Sequence, residues 1–257
     1  MDRDHVLQAF DEQVRRRPDP GPGGVVERDE RVVRVIAPGW RGVVWSDLDA
    51  ACADTVVADQ IERLAAEGEW EWKHYSYDRP ADLPRRLAAA GFVAEEQEAL
   101  LVAEIAALDL DVAPPAGIEV RTAADAAGVD AVVRVHEEVF GEPHDDLGPA
   151  LRWALAQTPP PALGVVAYAG PDPVAAARVE LNAGTEFASL WGGGTLPAFR
   201  RRGIFRALVA HRSALAAARG HRYVQVDALP TSAPILRRLG FAELARTTPY
   251  VHPGSSA

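Results

Sequence analysis

The stretch from Trp191 to Arg212 constrains the fold more than any other. A strand-like run, Phe187–Trp191, ends in Gly192, Gly193 and Gly194; a turn follows at Pro197, and Arg200, Arg201, Arg202 and Gly203 then open a helix. In that helix, expected over Gly203–Arg219, the apolar residues Ile204, Leu208, Leu215 and Ala218 fall on one face. The first turn of a helix carries N–H groups without intrahelical partners, and its dipole favours negative charge. Glycine there admits an anion to the backbone where a Cβ would intrude. Between Pro197 and Arg222 stand seven arginines and no acid, in a chain of net charge −10. The segment therefore reads as strand, turn and anion-binding helix. Two better-known phosphate loops are excluded. GxxxxGK followed by Ser or Thr needs a Gly-Lys pair that is absent, and Pro197 stands where GxGxxG requires its third glycine.

Strands and helices alternate around this segment. Strands are expected at Ile118–Thr122, Gly164–Ala169, Val174–Leu181 and Tyr223–Ala228, with a closing strand from Phe241. Helices are expected at Asp125–Phe140, Leu151–Gln157 and Ala233–Leu239. Interleaving of this kind implies an α/β protein with a mixed sheet. Pro18–Gly24 is a loop, and Leu108–Gly117, with its Asp residues and Pro pair, reads as a linker between residues 1–110 and 117–257. Each part is long enough to bury its own core. The two are related by a repeat at a constant offset of 149 residues: Leu87-x-x-x-Gly91-Phe92 matches Leu236-x-x-x-Gly240-Phe241, and His74–Asp78 matches Tyr223–Asp227.

Composition narrows the function. Hydrophobic residues at 48% and charged ones at 25% are ordinary for a soluble globular protein. The lone Cys52 excludes an internal disulfide, and no Cys/His cluster has zinc spacing, so no metal is expected. No apolar run approaches the roughly 20 residues that span a bilayer. The charged start MDRDHVLQAFDEQ lacks the apolar run of a signal peptide, so the expected location is cytoplasmic.

Pro197-x-x-Arg200-x-x-Gly203-x-Phe205, followed by a helix and, some 35 residues on, by Leu239-Gly240-Phe241, resembles the GNAT acyltransferase superfamily. The family signature is a strand, Val-x-Pro-x-x-(Arg or Gln)-x-x-Gly-x-(Gly or Ala), a helix, and later a short helix ending in Leu-Gly-Phe. The resemblance covers roughly Ile118 to Val251 and implies a GNAT-like acyl-CoA N-acyltransferase fold, in tandem with a degenerate first copy. It implies that acetyl-CoA is the co-substrate. The backbone at Gly193, Gly194 and Thr195 would hold the pantetheine arm. Arg201, Arg202, Gly203, Ile204, Phe205 and Arg206 would hold the pyrophosphate. Three residues depart from the pattern: Phe205 where Gly or Ala is usual, Thr195 for an aliphatic residue, and Leu236 where many members place the tyrosine that protonates the departing thiolate.

An amine acceptor is protonated near neutral pH, so direct transfer needs a base. Glu180 and Glu186, near the strands leading into the cofactor strand, are the candidates, Glu180 also being placed to pair with Arg178. Asp227, matched in the repeat by Asp78, reads as structural, and His136 as a partly buried helix residue. The acidic run Glu137–Asp146 is a candidate attractor for a cationic amine. The expected partner is a small-molecule or peptide amine. The alternatives are an acyl-CoA-binding module without turnover and, disfavoured by the net charge, a phospho-ligand or nucleic-acid binder.

Overall fold

The structure, a computed structural model, describes residues 1–141 and 144–254. The chain divides into two units. The first comprises Met1–Leu101, Asp227–Ile235 and the stretch from Glu243 onward; the second comprises Val102–Val226 and Leu236–Ala242. The division therefore does not fall at one point in the 108–117 linker. Backbone pairing ignores sequence distance, and a strand from the end of the chain pairs antiparallel within the first unit, Thr247 opposite Tyr75 through His252 opposite Trp70.

The second unit carries β7 (Ile118–Ala123), α4 (Ala126–Phe140), α5 (Leu147–Leu155), β8 (Ala162–Ala169), β9 (Asp172–Leu181), β10 (Phe187–Thr195), α6 (Ile204–Ala218) and β11 (Tyr223–Ala228), the last two residues of β11 belonging to the first unit. Its strand order is β7-β8-β9-β10-β11, antiparallel except for the parallel pair β10–β11. β9 explains the layering. Its alanines alternate between faces: Ala176 packs with Val129, Val132 and Val135 of α4, while Ala175 and Ala177 pack with Ile204 and Leu208 of α6. Small side chains at these positions let a helix approach each face of the sheet. Asp125 caps α4 through a 2.8 Å bond from Gly128 N, and Gly141 closes it in the left-handed conformation. α5 begins four residues before the expected Leu151, because Pro149 fits the first turn of a helix. β10 runs on through the three glycines instead of ending at Trp191, for a reason found in the site.

The first unit begins with α1 (Arg3–Phe10), extended by a π-helical turn Asp11–Arg15. It continues with β1 (Val25–Arg28), β2 (Val32–Ile36), β3 (Arg41–Ser46), α2 (Ala53–Leu64), β4 (Trp70–Tyr75), α3 (Leu83–Ala89), β5 (Val93–Ala94) and β6 (Glu98–Glu104), the last three residues of β6 belonging to the second unit. α7 (Ala233–Arg238) and β12 (Ala242–His252) complete the chain. Trp70 and Trp72 are buried with Val57, Leu64, Leu83, Leu87 and Phe92. The repeat is structural. Phe92 N donates to Leu87 O and Phe241 N to Leu236 O, both at 3.1 Å, with Gly91 at φ +97° and Gly240 at φ +102° between them. Each helix thus ends in the same Schellman turn, which needs glycine at the left-handed position.

Candidate active site

β10 and β11 are paired only from Phe187–Tyr223 to Ser189–Gln225. Beyond Ser189, β10 continues against β9 alone, and its register shifts between Trp191 and Gly194. Gly192 and Gly193 there oppose a single residue, Ala177, which is a β-bulge of one extra residue. The three glycines follow from their neighbours. A Cβ on Gly192, at φ +56°, would meet the His136 ring at 3.1 Å; on Gly193, the Phe205 ring at 3.1 Å; on Gly194, Val139 at 2.8 Å. The bulge is bare backbone held between α4 on one face and α6 on the other.

After Thr195 a short turn, Pro197–Phe199, leads to the head of α6. Arg200 Nε donates to Thr195 O at 2.9 Å and fastens the loop to the strand. Arg201 is the one described non-glycine residue at positive φ, +64°, and Gly203 follows at +87°. A left-handed arginine costs about 1–2 kcal/mol, a strain of the kind that collects at ligand clamps. No side chain caps α6, and the first backbone bond into Gly203 O comes from Ala207 at 3.2 Å. The amides of Ile204, Phe205 and Arg206 therefore form a cradle without an acceptor among the described residues, which fits a diphosphate. Of the expected residues, Arg201, Arg202 and Gly203 are exposed and Ile204 is buried. Arg202 lies over the Phe199 ring, and Arg206 pairs with Asp109 at 2.8 Å. The Phe205 ring lies against Gly193, so a ring is accommodated there because its neighbour has no side chain. Thr195 Oγ1 is buried without a hydrogen-bond partner.

The two carboxylates part company. Glu180 faces Ser189 across the β9–β10 ladder and accepts from Arg178 Nε at 3.3 Å. Glu186 precedes β10, lies about 3.7 Å from Arg222 and is eight residues from Gly194, roughly 25 Å at strand rise. Leu236 is a buried core residue, 2% exposed. Of the acidic run, Glu142 and Pro143 lie outside the described residues. Glu137, His144 and Asp145 line a cavity of about 330 Å³ between α4 and α5, together with Arg134 and Arg152.

Two basic residues acquire roles that the sequence reading did not assign. His136 packs its ring 4.2 Å from that of His144 and is hydrogen-bonded to the Gly192 backbone. Burial, aided by His144 and Arg178, brings His136 down to about 4, so it is neutral at pH 7. Its effect on stability has a definite sign. The unfolded chain takes up this proton near pH 6.5, and the folded chain refuses it until about pH 4, so stability is lost as pH falls through that window. His136→Asn is therefore expected to flatten the drop in urea-unfolding stability between pH 7 and pH 5. An unchanged slope would mean that His136 titrates normally.

Arg212, one of the seven arginines, is 2% exposed on the inner face of α6. Its spacing, four residues after Leu208 and eight after Ile204, placed it on the apolar stripe and was the available signal.

A twisted mixed sheet with helices on both faces, a bulged central strand and an uncapped helix head define the class. Across whole chains this fold is shared with a GCN5-related N-acetyltransferase from Kribbella flavida, at TM-score 0.68 and 18% identity, covering 98% of this chain and 95% of that one. It is shared also with a tandem GNAT protein from the clavulanic acid biosynthesis pathway, at TM-score 0.64 and 12% identity, covering 92% and 85%. A GCN5-related N-acetyltransferase from Sphaerobacter thermophilus matches at TM-score 0.62 and 18% identity, covering 99% and 86%. Residues 129–241 match the model of the acetyltransferase (GNAT) family. No curated protein matches this sequence. No helix among the described residues is long and apolar enough to cross a membrane.

Proposed function

We propose that this protein is an N-acetyltransferase that passes an acetyl or short acyl group from acetyl-CoA directly to an amine. The observation that carries the reading is the uncapped head of α6, with Arg201 and Gly203 both left-handed, next to the bulge of β10. Amides 204–206 and the side chains of Arg201 and Arg202 hold the pyrophosphate, with charge-assisted bonds from the arginines. The unpaired edge of β10 through Gly193, Gly194 and Thr195 holds the pantetheine arm and presents the thioester beside the bulge. Holding the thioester at attack distance supplies much of the rate, because the encounter becomes intramolecular.

Glu180 takes the amine's proton, directly or through water. It is partly exposed and lies on the strand that neighbours the bulge. Glu180→Gln is expected to lower kcat about 100-fold with little change in acetyl-CoA affinity. Equal activity would move the role to water. Residues 117–257 form the catalytic copy, and the first 110 residues a degenerate one. The head of α2 supports this reading: Asp49 accepts from Ala51 N and Cys52 N at 2.9 Å, so a carboxylate stands just before that helix, where a phosphate would be repelled. A cytoplasmic location goes with this reading and is checked by cell fractionation.

A second reading, acyl-CoA binding without turnover, draws on buried Leu236, which leaves no proton donor at that position. Calorimetry with acetyl-CoA followed by a thiol-release screen against amines separates the two. Binding without thiol release from any amine favours the second. The arginine helix is poorly suited to nucleic acid, since Arg212 is buried, Arg206 is paired with Asp109 and Arg222 with Glu104.

A further inference from the structure

Arg212 is a charge buried without a counter-charge among the described residues. A guanidinium taken out of water ordinarily brings a carboxylate with it. Here backbone carbonyls stand in. Nε donates to Leu208 O at 3.1 Å, and Nη1 donates to Arg178 O at 3.1 Å and to Trp191 O at 3.4 Å. Arg178 and Trp191 are the last regular pair of the β9–β10 ladder before the bulge. Nη2 comes within 3.6 Å of the point where a Cβ on Gly193 would stand. Burial, with the added charge of Arg178, brings Arg212 down to about 9, which leaves it protonated at neutral pH. The bulge thus has a fixed cation against it on the α6 face, and among the described residues that cation is held by backbone carbonyls and not by an acid.

We propose that Arg212 is a positioning residue for acyl transfer, clamping the carbonyls at the mouth of the bulge and polarising the Trp191–Gly192 peptide toward the acyl group. The inference rests on the acyltransferase reading above. A hydrogen bond into a carbonyl draws electron density from the N–H of the same peptide, so the Gly192 amide becomes a stronger donor. In transfer, the amine lone pair forms the C–N bond while the carbonyl π pair moves onto oxygen. The C=O then re-forms and the C–S bond breaks, its electron pair leaving on sulfur. The amine proton passes to a base or water, and the thiolate takes a proton from solvent. Negative charge rests first on oxygen and then on sulfur, and a preorganised, buried cation favours both. With Leu236 in place of a side-chain acid, the departing thiolate depends more on that fixed charge.

The probe is acetyl-CoA with hydroxylamine as a small nucleophile, thiol release giving kcat and calorimetry giving affinity. In Arg212→Met and Arg212→Gln, kcat is expected to fall about 100-fold while acetyl-CoA affinity stays within about threefold, and Arg212→Lys should recover about tenfold of the loss. A second readout needs no acceptor. The carbonyl stretch of bound acetyl-CoA, labelled with carbon-13 at that carbon, should lie at lower wavenumber in the wild type than in Arg212→Gln. If the methionine variant does not fold, the glutamine variant, which keeps a donor, gives the answer. Wild-type kcat and wild-type carbonyl stretch in Arg212→Gln would overturn the proposal. Failure of the underlying reading looks different: the wild type itself would bind no acetyl-CoA, or bind it and release no thiol.

Discussion

Gly203→Glu is expected to leave a folded protein that no longer binds acetyl-CoA. Space is not the obstacle, because the nearest atom to a Cβ at this position is Pro115 Cγ at 3.8 Å. The backbone is one cost. At φ +87° a side chain adds about 1–2 kcal/mol, which in a chain of this size lowers the melting temperature by only about 2–8 °C. The larger effect is electrostatic. A carboxylate at the head of α6 can bond the amides of Ile204 to Arg206 itself, acting as the cap that the wild type lacks. It also repels the diphosphate. Two unit charges about 4 Å apart near a protein surface interact by about 4 kcal/mol, close to a thousandfold in affinity. Gly203→Ala bears the backbone cost alone, which falls on folding, and should leave acetyl-CoA affinity within about threefold. Calorimetry distinguishes the two, and a glutamate variant that binds as tightly as the alanine variant would remove the diphosphate from this helix.

Much of this site was legible because its parts lie close together in sequence. A strand ending in glycines, a proline turn, arginines and a glycine before an apolar stripe describe a strand, a loop and a helix head with few alternatives. Tyr223–Ala228 appears as a strand at its expected bounds, and the Leu-x-x-x-Gly-Phe repeat appears twice as the same turn. The bulge was not legible, because it depends on which side chains oppose each glycine: His136, Phe205 and Val139 come from two different helices. Glycine composition signalled only that the backbone is approached closely. Arg212 was hidden by its own chemistry. In a run of seven arginines the charge pattern says solvent, and only the helical phase says core. The two candidate carboxylates, six residues apart, could not be separated without knowing where β10 and β11 stop pairing.

The repeat also sets equivalent positions against each other, and Asp78→Ala should be the most destabilising single change in the first unit. Asp78 holds Arg15 by both oxygens, to Nη1 at 2.8 Å and Nη2 at 3.0 Å, and accepts from Tyr75 N at 2.9 Å. Both side chains are 3% exposed. Arg15 also lies 4.2 Å from the centre of the Tyr75 ring and donates to Val44 O, so it cannot swing out to water without giving up these contacts. Removing the aspartate leaves this cation buried with Asp11, a more exposed carboxylate, as its remaining partner. Breaking a buried pair from one side costs about 3–5 kcal/mol, whereas replacing both members by apolar groups is often near neutral. Asp78→Ala should therefore lose more stability than the double variant Arg15→Met with Asp78→Leu, measured by urea unfolding followed through Trp70 and Trp72. Asp227, its counterpart 149 residues on, faces Lys73 at 3.5 Å, but that lysine keeps Glu98 at 2.6 Å. Burial opposes the charge on Lys73, yet Asp227, Glu71 and Glu98 together hold it protonated beyond its ordinary range. Loss of Asp227 leaves a lysine that is still paired, so Asp227→Ala should cost about 1–2 kcal/mol, well below its counterpart. Equal losses at the two positions would mean that the ion pairs are not what the aspartates contribute, and that the shared turn geometry carries the stability instead.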